Sequence, residues 1–338
     1  MIELTIYPIL SYFIIGLIAY KGDVKQNFIL YVLITVVASL LVGLRMIDGG
    51  DGLRYNLIFD QIYDYGAFSA PSQQEYLFAL IVSLIKSIGL DNIFIFIFFS
   101  FLSLGVKSYV FWKFHHRYAI LALLVYIGVF YINLEMYSMR HALATSFILL
   151  GFYYYVKRNR FWYFLISIVI ASGFHVVSVV FLISPLIFKM KGYLLGLLIL
   201  LAGYFPYSGV GPSIISDLFP YMPRSEDLDV FLQNDIPISY LHVPIIKDIL
   251  YVILFAYFSH RYKENLVIQY SFKLIVFGLI ARIGLIDYGV ISSRIGNLFE
   301  VIEPILLVEI MRNIRFRYSH FVLIMYPLGA LLYMFSLK

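Results

Sequence analysis

The sequence predicts an all-α, polytopic membrane protein with about 11–13 transmembrane or re-entrant helices. Of its 338 residues, 62% are hydrophobic and only 13% are charged, roughly half the charged fraction of a soluble domain. The apolar residues form continuous runs of about 15–20 residues, which is close to the length a helix needs to cross the hydrocarbon of a bilayer. The mean hydropathy of +0.89 agrees with a chain that lies mostly in lipid.

Twelve apolar segments account for this prediction. The first, Ile2–Tyr20, lacks a basic leader and a small-residue cleavage site, so we expect a retained span and not a signal peptide. The long segment Phe161–Phe188 is expected to break at Ser172-Gly173. The twelve are Ile2–Tyr20, Phe28–Leu44, Tyr76–Leu90, Ile93–Trp112, Tyr118–Ile132, His141–Val156, Phe161–Phe188, Tyr193–Phe205, Val243–Phe258, Leu266–Ile286, Leu298–Met311 and Phe321–Leu337.

The basic residues form small clusters between these segments, and the clusters predict which ends of the helices face the cytoplasm. The formal net charge of +5 is therefore assigned to membrane anchoring, and no nucleic-acid partner is predicted. With the clusters of the second half inside, Arg140 and Ser172–His175 lie at the outer ends of their helices. The chain has no cysteine, which excludes disulfides, thiolate metal ligands and cysteine nucleophiles.

Two hydrophilic segments, residues 45–75 and 207–243, are predicted to be extracytoplasmic loops of a single integral membrane domain covering residues 1–338. Both are net acidic, unlike the usual cytoplasmic anchor. Between them, Tyr76–Leu90 is short and carries Lys86, so it is predicted to be re-entrant or to lie along the surface.

Arg140 and His175 are the first candidates for chemistry because each stands at the end of an apolar run. An arginine in hydrocarbon costs about 2.5–3.5 kcal/mol on insertion scales, so it needs a partner, a wet cavity or a function. Arg140 could snorkel or pair with Glu135, and a lone His175 is often structural. An outward cavity lined by arginines would instead suit a diphosphate, and a histidine beside it could accept a proton from a hydroxyl.

The segment SSRIGNLFEVIEPILL carries the remaining buried charges. Glu300 and Glu303 stand three residues apart, which places them on one helical face, with Pro304 weakening the helix after them. They could form an internal ion-pair network with Arg282 or Arg294, carry a proton in a transporter, or bind sugar hydroxyls. No metal site is predicted, since His115-His116 stands in a basic loop without carboxylates.

Four motifs occur in order and together extend over most of the chain: RMIDGGDGLRY, MRHALA, GFHVVS and SRIGNLF. In this order they resemble the EpsG family of Wzy-type polysaccharide polymerases. The first motif differs from the Gly-Thr-Asp-Tyr sequence that is usual in the family. The residues that carry the resemblance are Arg45, Asp48, Asp51 and Tyr55; Met139, Arg140, Leu143 and Ala144; Phe174, His175 and Ser178; and Arg294 with Phe299.

The resemblance implies a multi-pass enzyme of the bacterial inner membrane, with a fold in the style of glycosyltransferase-C proteins. It would join oligosaccharide repeat units carried on undecaprenyl diphosphate, on the periplasmic or outer side, without a metal ion or other cofactor. Its partners would be membrane lipid and, where chain length is regulated, a co-polymerase.

The mechanism suggested by this resemblance assigns roles to ten residues. His175 would orient or deprotonate the acceptor hydroxyl, with Asp51 as the alternative base. Arg140, Arg294 and Arg45 would bind the donor diphosphate. The residues expected to bind sugar or acceptor are Asp48, Tyr55, Ser178, Glu300 and Glu303.

Two other classes of protein remain open on the residues alone. A flippase or ion-coupled transporter of lipid-linked oligosaccharide would also place charges inside a helical bundle, and would depend on Glu300 and Glu303. A non-catalytic assembly subunit would tolerate the loss of both Arg140 and His175.

Overall fold

The structure is a computed structural model, and it describes residues 14–16, 24–45, 50–65, 75–208, 237–258, 262–313 and 319–336. Throughout these residues the secondary structure is helical, with turns between the helices and no strand. The α-helices are α1 Val24–Arg45, α2 Gly50–Tyr65, α3 Tyr76–Ser87, α4 Asn92–His115, α5 Ala119–Val129, α6 Met139–Arg158, α7 Phe161–Phe174, α8 Ser184–Lys189, α9 Gly192–Tyr204, α10 Val243–Phe258, α11 Leu266–Gly284, α12 Gly289–Glu300, α13 Glu303–Asn313 and α14 Ser319–Ser336.

Shorter helical segments connect several of these helices. Three are 3₁₀ helices, at His116–Tyr118, Val176–Ile183 and Phe205–Ser208. Ile132–Met136 forms a π-helical turn directly before α6. Such turns interrupt the regular ladder of an α-helix and recur at functional sites.

The all-α membrane fold is confirmed. Within the described residues, two helical stretches are long and apolar enough to cross a membrane, Asn92–Val129 and Leu266–Gly284. Shorter apolar helices of 10–17 residues accompany them at Phe28–Leu44, Tyr76–Ser87, Phe161–Phe174, Val176–Lys189 and Gly192–Ser208. The count of about 11–13 helices and the resemblance to glycosyltransferase-C folds stay predictions.

The chain divides into two compact units, residues 1–175 with 303–338 and residues 176–302. The single membrane domain over residues 1–338 stays a prediction. In the first unit, α6 packs along α7 and against α4, α1 packs against α4, and α5 lies against α13 and α14. Gly128 allows α5 and α14 to approach each other closely, because an added Cβ at this position would come within 2.4 Å of Pro327. In the second unit, α11 contacts α9, α10 and α12.

The predicted break in the long segment Phe161–Phe188 is confirmed within two residues. Helix α7 ends at Phe174, His175 has extended backbone angles, and a 3₁₀ helix follows before α8. Gly173 stands at this break because an added Cβ would come within 2.5 Å of the Leu77 side chain. The small residue therefore allows α7 to contact α3.

The structure adds detail to two other predicted regions. Helix α3 has 12 residues, about 18 Å at 1.5 Å per residue, which is too short to cross a membrane. This length favours the prediction of a re-entrant or surface helix. The predicted first loop, residues 45–75, contains the 16-residue helix α2.

The prediction of one helical span over Leu298–Met311 is wrong, and with it the shared face of Glu300 and Glu303. Helix α12 ends at Glu300, Val301 and Ile302 form a turn, and α13 starts at Glu303. Proline lacks an N–H group and disfavours helix in the residue before it, so a first turn is the position in a helix that accommodates it best. Pro304 accordingly follows the break instead of weakening a continuous helix.

Some predictions fall on residues outside the described ranges. They are most of Ile2–Tyr20, of which only residues 14–16 are described, and most of the loop at 207–243.

Candidate active site

The carboxylate of Glu75 contacts both of the leading candidates from the sequence. Its Oε2 accepts a hydrogen bond from Nη1 of Arg140, and its Oε1 lies 3.3 Å from Nδ1 of His175. These contacts join positions 65 and 100 residues apart in the chain. We call Glu75, Arg140 and His175 the Glu75 triad.

Helix ends position the three members of the triad. Glu75 precedes the first turn of α3, Arg140 is the second residue of α6, and His175 follows the last turn of α7. Because α6 and α7 are joined by a tight turn at Asn159, with a φ of 50°, and pack along each other, the start of α6 lies beside the end of α7. The positive end of the α3 dipole also favours a carboxylate at its start.

Aromatic residues enclose Arg140. The ring of Phe78 lies under its guanidinium, 5.6 Å from ring centroid to Cζ. The buried Tyr55 lies near the same side chain and interacts with it electrostatically. Tyr55 and Phe78 in turn pack on Phe59 and Phe96. Stacking and hydrogen bonding therefore hold the guanidinium in one orientation.

A neighbouring ring also packs against the imidazole of His175. The ring of the buried His141 meets it edge to face, with centroids 4.9 Å apart. Phe174, the preceding residue, packs on Phe99 and Phe147. The His175 ring is thus oriented by Glu75 on one side and by His141 on another.

The triad is largely shielded from solvent without being sealed. The exposed fractions of the side chains are 15% for Arg140, 12% for Glu75 and 9% for His175. Burial alone would raise the pKa of the Glu75 carboxyl, but Arg140 and His175 outweigh this effect and lower its pKa to about 2. Glu75 is therefore an anion at every physiological pH.

This geometry can perform acid–base chemistry on a hydroxyl. A carboxylate at Nδ1 fixes the imidazole tautomer and leaves Nε2 to accept a proton, as in the triads of hydrolases. Arg140 contributes a permanent positive charge within the same group of side chains.

The suggested pairing of Arg140 with Glu135 is wrong. Glu135 binds Lys107 instead, with Oε1 2.9 Å from Nζ, and both side chains are buried. Glu75 and Lys107 are the two important residues that our sequence reasoning missed. Lys107 had a detectable signal, since it is a cation inside an apolar helix; Glu75 had only its place directly before α3.

The remaining residues of the predicted site have different positions. Arg45 ends α1 and Asp51 lies in the first turn of α2, but neither side chain is described, and Asp48 lies outside the described residues. In the second unit, Ser178 is buried in a 3₁₀ helix and Arg294 is exposed on α12.

Glu300 belongs to a buried ion-pair network, as one of the open interpretations predicted. Arg282 binds both of its oxygens, and Lys247 Nζ lies 3.2 Å from its Oε2. Asp248 lies 3.7 Å from Arg282 Nε. Gly296 makes room for this arginine, since an added Cβ would come within 2.5 Å of Nε.

Glu303 has a separate environment in the first unit, where its carboxylate accepts a hydrogen bond from the hydroxyl of Tyr326. Among the described residues, no group of three or more His, Cys, Asp or Glu side chains is arranged to hold a metal ion. His115 is buried, and the carboxylate of Glu309 lies 3.6 Å from its Nδ1.

Comparison with known families gives one match. The model of the EpsG family matches residues 28–338, which is nearly the whole chain and includes most of the first unit and all of the second. No match is found among curated proteins or among solved structures. The matched range contains all three members of the Glu75 triad. This chain therefore belongs to the EpsG family.

Proposed function

We propose that the protein is a polysaccharide polymerase that joins oligosaccharide repeat units carried on undecaprenyl diphosphate. It would be a multi-pass protein of the bacterial inner membrane and act at the outer face. Membership of the EpsG family supports a polymerase of the glycosyltransferase type. The observation that carries the proposal is the contact of one carboxylate, Glu75, with both Arg140 and His175.

The reaction is a direct glycosyl transfer. A hydroxyl of the acceptor repeat attacks the anomeric carbon of the donor chain, and Nε2 of His175 takes the hydroxyl proton as the new C–O bond forms. The bond between the anomeric carbon and the diphosphate oxygen breaks, and undecaprenyl diphosphate leaves with the electron pair. One displacement inverts the configuration at the anomeric carbon. A positioned general base typically contributes 10²–10⁴-fold in rate.

Arg140 stabilises the charge that develops on the leaving diphosphate. Its contact with Glu75 uses Nη1, and a guanidinium carries five N–H donors in a rigid fork. It can therefore bind a carboxylate and a phosphate oxygen at once. In a site screened from water, one such donor is worth about 3–4 kcal/mol in the transition state.

Other residues keep narrower roles in the proposal. Tyr55 lies near Arg140, so we assign it to shaping the diphosphate site and not to binding sugar alone. Asp51 and Ser178, with Arg45, Asp48, Arg294 and Glu303, remain expected contacts of substrate. Glu300 is assigned to the ion-pair network, because its carboxylate oxygens are bound by Arg282 and Lys247.

The test is complementation of a strain that lacks its own copy of the gene. Arg140→Ala and His175→Ala should each give surface glycan limited to a single repeat on gels, because transport continues while joining stops. The matched controls are Arg158→Ala, at the opposite end of α6, and His116→Ala, both exposed. They should give the full range of lengths.

Other outcomes would identify the rival classes. Complete loss of surface glycan with Arg140→Ala or His175→Ala would point to a transporter of lipid-linked oligosaccharide. Normal glycan lengths with both variants would point to a non-catalytic assembly subunit. Either result would contradict the polymerase proposal.

A further inference from the structure

A second charged group lies in the first unit, buried in the core between α4, α5 and α6. Lys107 has no exposed surface, and its Nζ is fully engaged. Its three N–H groups are shared among four oxygen atoms: Glu135 Oε1 at 2.9 Å, the carbonyl oxygen of Ala142 at 2.6 Å, and the hydroxyl oxygens of Ser103 and Ser146, each at 2.7 Å from Nζ. We call Lys107 and these four partners the Lys107 cluster.

Glu135 is held from several directions. Its Oε1 also accepts hydrogen bonds from the hydroxyls of Tyr126 at 2.7 Å and Ser103 at 2.9 Å. Three donors on one oxygen satisfy a buried carboxylate that would otherwise be strongly destabilising. The cluster therefore has a single well-defined arrangement.

The cluster contacts the chain on both sides of Arg140. Glu135 lies in the π-helical turn, five residues before Arg140, and Ala142 lies in the first turn of α6, two residues after it. Ser146 reinforces the second contact, since its hydroxyl also donates to the carbonyl of Ala142 at 2.9 Å. One ammonium group thus connects the turn before Arg140 to the helix that carries it.

We propose that Lys107 is a positioning residue for Arg140, acting through Glu135 and the carbonyl of Ala142. It sets the angle at which the chain enters α6, and thereby the place where the Arg140 guanidinium meets Glu75. This inference rests on the proposed function, because it gives Lys107 an effect on the same reaction. A misplacement of about 1 Å can lower the rate of a positioned reaction about 10²-fold.

A purely structural role for the cluster is the alternative, and charge-neutral substitution distinguishes the two. Lys107→Met alone leaves Glu135 as an uncompensated buried charge, which is strongly destabilising. The double variant K107M/E135Q removes both charges, and replacing a whole buried pair is often tolerated. It should fold while losing the connection to Ala142.

The experiment measures polymerisation per folded protein, using purified variants and lipid-linked repeat units extracted from the native strain. K107M/E135Q should be at least about tenfold slower than the wild type, with the change in kcat and not in KM. Lys113→Met, on the same helix, is the matched control and should be unchanged. Wild-type activity in a folded K107M/E135Q would overturn the proposal.

Two further variants keep the test decisive. In a background of Arg140→Lys, K107M/E135Q should lower the residual rate by less than about twofold, because residues that act through one another are not additive. An equally large loss there would overturn a role through Arg140. Ser146→Ala weakens the cluster without removing a charge; it should slow polymerisation severalfold, and an unchanged rate would count against the proposal.

Failure of this inference is separable from failure of the proposed function. The proposed function is tested by Arg140→Ala and His175→Ala, which do not alter the Lys107 cluster. Inactive Arg140→Ala and His175→Ala with a fully active K107M/E135Q would refute the positioning role alone.

Discussion

Replacing Glu75 with glutamine tests the central arrangement of the site. Glu75→Gln keeps the shape of the side chain and removes its negative charge. Arg140 then loses a carboxylate partner, and Nδ1 of His175 loses the anion that orients the ring. Both stability and activity should fall, by amounts that follow from the geometry.

The expected loss of stability is about 2 kcal/mol. Exposed ion pairs contribute about 0–1 kcal/mol, and breaking a fully buried pair costs about 3–5 kcal/mol. The Arg140 and Glu75 side chains are 15% and 12% exposed, so their pair lies between these limits. A lower midpoint of thermal unfolding in detergent is the measurement.

The expected loss of activity is larger, on the order of 10²-fold or more, because a misoriented imidazole is a poor general base. The assay is the length distribution of surface glycan in the complemented strain, with rates from purified protein. The matched control is Asp60→Asn. Asp60 also pairs with a basic side chain, Lys86 at 3.1 Å, but is 57% exposed, so stability should change by less than about 1 kcal/mol and activity not at all.

Glycan lengths that are normal with Glu75→Gln would refute this reasoning. The same conclusion would follow if Asp60→Asn were as damaging as Glu75→Gln.

The pKa of Glu75 is lowered to about 2, so the stability difference between the wild type and Glu75→Gln should be constant from pH 6 to 8. This difference should narrow as the pH falls from about 4.5 towards 2. A stability difference that widened in acid would contradict the pairing. Gly296→Ala should destabilise the protein by about 1–3 kcal/mol, because the added Cβ would collide with Arg282. Gly105→Ala should be neutral or stabilising, since nothing lies within 4 Å of the added Cβ. Thermal unfolding of both variants is the measurement. Arg282→Met should lower the free energy of unfolding by about 3–5 kcal/mol, because it leaves buried carboxylates uncompensated. The double variant R282M/E300Q should recover part of this loss in the same assay. An Arg282→Met protein of wild-type stability would exclude a structural role for the network. The initial rate of polymerisation should not change on addition of EDTA, and an activity restored only by a divalent cation would contradict the metal-independent mechanism.

Helices were predictable from the sequence because lipid requires long apolar runs. The predicted segment Tyr193–Phe205 corresponds to α9, which forms at Gly192–Tyr204. The predicted segment Leu266–Ile286 corresponds to α11, which forms at Leu266–Gly284. The prediction failed at Pro304, where apolar residues continue on both sides of Glu300 and Glu303 but the helix is interrupted. A hydropathy profile does not show that proline lacks a backbone N–H group, so it does not predict where a proline interrupts a helix.

The candidate site was predictable only in part. Arg140 and His175 could be selected because a charge or imidazole at the end of an apolar run requires an explanation. Glu75 could not, since a carboxylate in a polar segment is ordinary, and only the fold brings it to residues 65 and 100 positions away. For the same reason Glu135 was one candidate partner of Arg140, its neighbour in sequence, whereas its partner in the structure is Lys107.

The most direct test of the central claim is reconstitution with pure components. Purified protein is incubated with lipid-linked repeat units in the presence of EDTA, and the products are separated on a gel. The wild type should produce a ladder of products differing by one repeat, and folded Arg140→Ala and His175→Ala should produce none. A ladder from either variant, or its absence from folded wild-type protein supplied with native substrate, would contradict the claim.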